Sequence, residues 1–110
     1  MHRVNAEMKS CIDECRSCYE MCLSTAMGHC LEAGGQHTEP KHFSLMMACA
    51  EMCRTSAHFM LIGSEFHKRT CRLCSEICEQ CAADCERIGE MKECAETCRR
   101  CGESCRRMAA

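Results

Sequence analysis

The sequence predicts an all-α fold: an antiparallel up-down-up-down four-helix bundle with a cysteine-lined core, forming one domain over residues 1–110. Two observations carry that prediction. Cysteine, methionine and alanine recur at alternating steps of three and four, as in "TCRLCSEICEQCAADC", Thr70 to Cys85, which keeps them on one stripe of a helix. Turn signals at Gly34-Gly35, Gly63 and Gly89 cut the chain into four long segments with short connections, the pattern of helices packing antiparallel to their neighbours. Strand alternation fits no stretch.

The first segment runs from about Arg3 to Ala33, with Met8, Cys11, Cys15, Cys18, Cys22, Ala26 and Cys30 on its stripe. Thr38-Glu39-Pro40 then offers a capping residue and a first-turn proline, the usual start signal. The second segment continues to Ile62, with Met46, Cys49, Cys53, Ala57 and Met60 in register. Ser64 is placed to cap the third, which reads His67, Cys71, Cys74, Cys78, Cys81, Cys85 and Ile88. Beyond Gly89 the fourth runs from about Glu90 to Met108 and reads Met91, Cys94, Cys98, Cys101, Cys105 and Met108. Gly28 and Gly102 fall inside helices, which tolerate them at some cost. Phe66, Leu73 and Ile77 give the third segment a second apolar face, which favours a homo-oligomer.

Composition narrows the function. Sixteen cysteines and ten methionines stand against no Trp, one Tyr and three Phe, so the core is built from Cys, Ala and Met. A net charge of −2 is too balanced for nucleic-acid binding. Arg99, Arg100, Arg106 and Arg107 read as a solvated face near a helix C-terminus. No apolar run has the length to span a bilayer. "MHRVNAEMKS" has no apolar leader region, so a cytoplasmic location with reduced thiols is expected.

Sixteen thiols exceed what packing needs. Cysteine is much smaller than leucine, so a seam of it underfills a bundle, and cavities are costly. Wholesale disulfide pairing conflicts with a reducing compartment. A redox sensor or thiol buffer needs only a few of these residues. Ferredoxin-like iron–sulfur runs end in Cys-Pro and wrap a cluster in loop backbone, and no cysteine here precedes proline. Zinc could use the CxxC pairs 15/18, 71/74, 78/81 and 98/101, but its sites are discrete tetrahedra. Cu(I) fits best: it is soft and accepts two or three thiolates. The CxxxC pairs 11/15, 18/22, 49/53, 74/78, 81/85, 94/98 and 101/105 put two sulfurs side by side on consecutive turns. If every thiolate bridges two ions, ion and cysteine numbers match at roughly 16 per chain and the charges cancel. An enzyme would need an exposed, activated thiol; Cys30 beside His29 is the one tempting pair, and adjacent helical residues do not face each other.

These CxxxC and CxxC rows on four helices resemble the four-helix-bundle copper storage proteins, the Csp family, and most closely their cytosolic, leaderless branch. The resemblance covers nearly the whole chain. It implies a bundle filled with many Cu(I) ions, held by Cys11, Cys15, Cys18, Cys22, Cys30, Cys49, Cys53, Cys71, Cys74, Cys78, Cys81, Cys85, Cys94, Cys98, Cys101 and Cys105, and assembly as a tetramer. It leaves the copper donor or acceptor protein unnamed.

The two bundle ends differ in the sequence. Met27, His29, Cys30, His37, His42, Met46 and Met91 gather at one; Val4, Phe59, Leu61, Ile62 and Phe66 gather as apolar plugs at the other. Copper is expected to pass in through the first end, with His42 and Met46, a turn above Cys49, as exchangeable ligands. His2 and His37 read as ordinary exposed or capping histidines. His58 and His67 sit near the apolar end, where His67 continues the Cys71 stripe.

Overall fold

A computed structural model describes residues 4–110. The fold is all-α, with four long helices and, among the described residues, no strand. Helix α1 spans Ala6–Thr25 and continues through a π-turn, Ala26–Cys30, into a last α-turn, Leu31–Ala33. Helix α2 spans Pro40–Leu61, α3 His67–Ile88 and α4 Lys92–Ala109. His2 and Arg3 lie outside the described residues.

Local chemistry sets the ends. The Asn5 side chain accepts a hydrogen bond from the Met8 amide at 2.8 Å and so caps α1, satisfying one of the orphan donors of a helix start. Gly34, at φ +65° and ψ −155°, takes a positive-φ conformation that glycine adopts readily, and it stops the first helix. A 3₁₀ turn, Gly35–Thr38, follows, and Pro40 opens α2. Thr38 does not cap that helix: its hydroxyl donates to the Gly35 carbonyl instead. Ser64 is likewise not the cap of α3. Its hydroxyl accepts from the Phe66 amide inside a turn, and the helix starts at His67. The fourth helix begins two residues later than Glu90, because Glu90 itself sits at φ +63°.

Each helix packs against its two sequence neighbours around a square, with α4 returning to α1. The antiparallel register shows in the pairs that meet: Cys11 with Cys105 and Cys22 with Cys94 between α1 and α4, and Cys53 with Cys74 and Met46 with Cys81 between α2 and α3. The molecule is a rod of 48 × 20 × 19 Å, and its axis is sulfur. All sixteen cysteines are free and buried. The other seam residues agree, except that His67, Ile88 and Met108 are only half-buried.

Two expectations about filling need correction. The seam is not left hollow: sulfurs approach one another at 3.4–4.0 Å, near van der Waals contact, so short side chains have drawn the helices together. Of the expected apolar plugs only Phe59 is even half-buried. Leu61, Ile62 and Phe66 are roughly half exposed and Val4 is 36% exposed; that end is filled by Met8, Ile12 and Met60.

Candidate metal centre

A cysteine sulfur sits close to its own backbone, so thiols on facing helices meet only where helices run close together. Here they meet along most of the rod. Cys15 and Cys105 lie 3.4 Å apart, Cys22 and Cys98 3.4 Å, Cys53 and Cys78 3.5 Å, and Cys101 and Cys15 3.7 Å. Within a helix, the CxxxC partners Cys18–Cys22 and Cys74–Cys78 approach at 3.8 and 3.9 Å. CxxxC spacing predicts a grip by two sulfurs of one helix. The structure places most close sulfur pairs between helices, because the bundle is narrow enough for facing seams to interdigitate.

Those pairs merge into shared groups. Cys18, Cys49, Cys53 and Cys78 form one quartet, and Cys53, Cys74, Cys78 and Cys101 the next. Cys15, Cys74, Cys101 and Cys105 form another, as do Cys18, Cys22, Cys49 and Cys98, and the triad Cys11, Cys71 and Cys105 ends the row. In each group the sulfurs all lie within 4.8 Å of one another. A metal about 2.3 Å from each sulfur separates its thiolates by about 3.8 Å in tetrahedral, 4.0 Å in trigonal and 4.6 Å in linear coordination. The geometry therefore accepts soft ions with little movement of the helices.

Protonation follows the crowding. Hydrogen bonds with Cys18 and Cys22, joined by burial, drive the Cys98 thiol upward. Bonds with Cys101, Cys22 and Cys49 drive Cys18 downward. Neighbouring thiols share protons in this way, and ionising one makes the next harder to ionise. Burial pushes Cys30 up, and the Cys94 and Cys81 sulfurs add to it. Deprotonating the whole row needs a compensating cation at each step.

At one end the donors change. The Cys30 sulfur lies 3.6 Å from Met91 Sδ and 3.8 Å from His42 Nε2. Cys81 and Cys85 donate to Met46 Sδ at 3.6 and 3.5 Å. His42, 1% exposed, contacts Asp84 Oδ2 through Nδ1 at 2.7 Å. Burial alone would raise the Asp84 carboxyl, but hydrogen bonds from His42 and Arg87 outweigh it and hold it below the ordinary carboxylate range. An ionised carboxylate only accepts, so Nδ1 carries the proton and Nε2 faces the sulfurs. His42 and Met46 are thus buried against row thiols. The imidazole near Cys30 is His42, not its sequence neighbour His29.

A π-turn aims Cys30. From Cys22 to Cys30 an unbroken α-helix would advance eight residues and leave the thiol about 80° off the stripe. A π-turn has about 4.4 residues per turn, and over five residues it removes about 90° of that rotation. Cys30 returns to the seam fully buried. The sequence signalled this weakly, through Gly28 and the drift of three successive steps of four.

Other residues assigned to this end divide. Met27 is half exposed. His37 is buried, not solvated, and packs edge-on against His29 at 4.9 Å; His29 Nε2 and His37 Nδ1 are buried without hydrogen-bond partners. At the far end His67 turns its Nδ1 toward the Ser64 carbonyl, 3.0 Å away, and His58 packs beside Phe59. Asp84 joins the candidate site through its contact with His42; nothing in the sequence pattern marks an aspartate outside the seam. Two clefts of about 440 and 470 Å³ flank Met91. The first reaches Cys94 and is lined by His29, Glu90 and Glu93; the second reaches Cys85 and is lined by Glu86, Glu90 and Glu96.

A helical bundle whose axis is a continuous lattice of reduced thiols, ending in thioethers and a carboxylate-held imidazole, defines a class: proteins that hold many soft metal ions at once. Residues 4–110 match the family described as "Csp: Copper storage protein", and the chain belongs to that family. It is similar to a crystal structure of the Nmul_A1745 protein from Nitrosospira multiformis, at 54% identity and a TM-score of 0.92, over 94% of both chains. It is similar to the Cu(I)-bound copper storage protein BsCsp3, at 34% identity and a TM-score of 0.87, over 94% of this chain and 99% of that one. It also matches the uncharacterized cysteine-rich protein YhjQ of Bacillus subtilis, 35% identical over 71 residues. That match spans 64% of this chain and 65% of the relative.

Proposed function

We propose that this chain, as one domain over residues 1–110, stores Cu(I) by binding many ions to thiolates inside its bundle. The observation that carries the reading is the set of sixteen free, buried thiols, ten of which fall in four quartets that share corners. Shared corners suit an ion content with two or three thiolates. They suit isolated zinc tetrahedra poorly, since those need four thiolates each. All sixteen cysteines are the proposed ligands. Loading exchanges thiol protons for copper, so it releases protons and leaves the core near neutral.

Copper enters at the Cys30–Met91 end, where His42 and Met46 take it and pass it to thiolates. Four carboxylates, Glu86, Glu90, Glu93 and Glu96, line the flanking clefts against the single cation Lys92, and that balance favours an approaching cation. Catalysis is not part of the reading: the Cys30–His42–Asp84 line is suggestive in outline, but Cys30 is 0% exposed, whereas a catalytic thiolate needs an exposed site. The exposed Leu61, Ile62, Phe66 and Leu73 support a homo-oligomer, a tetramer in our reading. Among the described residues no helix is long and apolar enough to cross a membrane. A cytoplasmic location agrees with thiols kept reduced.

The test is an anaerobic Cu(I) titration of the full chain against a competing chelator. About one ion bound per cysteine is expected. One to four ions would mean a discrete site, and none would leave a thiol-based redox protein.

A further inference from the structure

We infer that Gly102 and Ser75 form a spacing clamp between α3 and α4, setting the helix separation at which thiols of those two helices share ions. The inference rests on the Cu(I)-storage reading and names the residues that position its ligands. Packed helices ordinarily lie about 8–10 Å apart, depending on the side chains at their contact. Short cysteine side chains need the lower part of that range to meet across an interface.

Gly102 supplies it. A methyl group at that position would lie 2.7 Å from Glu79 Oε1 and 3.3 Å from Cys78 Cβ. The glutamate end can swing aside; the cysteine Cβ is fixed to α3 and moves only with the helix. At the same level the Ser75 hydroxyl, buried, donates to the Gly102 carbonyl at 2.8 Å. That bond ties the two backbones where the missing side chain lets them approach. One turn on, Arg99 grips Glu79 at 2.7 Å and Glu86 at 2.6 Å, closing the outer side of the interface.

The clamp lies beside the thiols it serves. Ser75 follows Cys74, and Gly102 follows Cys101. Cys74 and Cys78 from α3, with Cys101 and Cys105 from α4, furnish most corners of two quartets. Metal–thiolate bonds of about 2.3 Å allow these sulfurs only a narrow span of separations, so a side chain wedged at Gly102 removes bridging across this interface without removing any cysteine.

The experiment compares Gly102→Ala, Gly102→Val and Ser75→Ala with the unaltered chain and with Ile12→Val, a destabilising change on α1 and so outside the α3–α4 interface. Readouts are thermal stability without metal, accessibility of Cys78 and Cys101 to a thiol reagent, and Cu(I) affinity and capacity against a chelator. Gly102→Val is expected to expose Cys78 and Cys101 and to weaken the copper it holds by about 10–100-fold; Ser75→Ala and Gly102→Ala shift both in the same direction by less. Wild-type affinity in the folded glycine variants, or losses no greater than Ile12→Val gives at equal destabilisation, would overturn the clamp. Should Gly102→Val not fold, the alanine variants decide by the same criteria. Absence of copper binding in the unaltered chain would instead strike the storage reading.

Discussion

At one end of the bundle the thiol row finishes in Cys30, with Met46, Met91 and His42 against it, an aspartate behind the imidazole, and two acid-lined clefts leading in. At the other it finishes in Cys11, Cys71 and Cys105, under buried Met8, Ile12 and Met60. Thiolate alone holds Cu(I) tightly, while thioether and imidazole hold it less tightly. A donor series that weakens toward one end and stops abruptly at the other gives the rod a direction. Between the ends, each sulfur of the middle quartets serves more than one group.

The largest effect separates the middle of the row from its closed end. Cys78 belongs to two quartets and Cys71 to the end triad. Cys78→Ser is expected to remove about two or more ions per chain, and Cys71→Ser about one, because a bridging thiolate holds more than one ion. Copper per chain after gel filtration with a chelator present measures the difference. Equal losses would mean that the ions sit in independent sites.

Next in size is a rate. His42→Gln with Met46→Leu should slow Cu(I) uptake about tenfold and leave final content close to that of the parent. Met60→Leu, at the closed end, should leave the rate unchanged. Stopped-flow uptake from a coloured Cu(I) complex reads both. If the Met60 variant slows uptake as much as the pair does, the proposed direction of the rod is wrong.

Asp84 gives a smaller, pH-dependent signature. Its carboxyl is held below the ordinary range by His42 and Arg87, against the opposing effect of burial. A depressed carboxyl contributes stability that is full above its unfolded value, about 3.9, and is lost as pH falls through the lower folded value. The apo protein should therefore lose melting temperature below about pH 4. Asp84→Asn should remove that part of the acid sensitivity and cost about 1 kcal/mol at neutral pH. An acid profile identical in the two proteins would mean that the His42–Asp84 contact contributes nothing to folding.

The helices and the buried row were legible because period and punctuation agree: every cysteine read as inward is buried, and Gly34, Gly63 and Gly89 all take positive φ where helices end. The capping residues were less legible. Thr38 and Ser64 have the right chemistry, but each spends its hydroxyl inside a turn, a choice made by loop geometry that residue type does not encode. The interhelical sharing of sulfurs depends on how close the helices come, and between α3 and α4 that turns on Gly102, whose close approach to Cys78 Cβ the period does not reveal. Asp84 was invisible for a related reason: its importance comes from standing opposite His42, 42 positions away in the chain.

The smallest effect concerns the turn that carries Met91. Glu90 is the one non-glycine residue with positive φ among the described residues, at +63°, and it follows Gly89, at +91°. The left-handed conformation costs an ordinary residue about 1 kcal/mol. Glycine at position 90 removes that cost but adds freedom to the unfolded chain, so the two effects partly cancel. Glu90→Gly should thus change apo stability by less than about 1 kcal/mol, toward stabilisation. The strain matters if it holds Met91, 4% exposed, between the two clefts. In that case the relaxed turn lets Met91 leave Cys30 more often, and uptake quickens at unchanged capacity. A gain in stability with no change in uptake would assign the strained turn to chain reversal alone, and the contrast between the two ends would then rest on the ligands themselves.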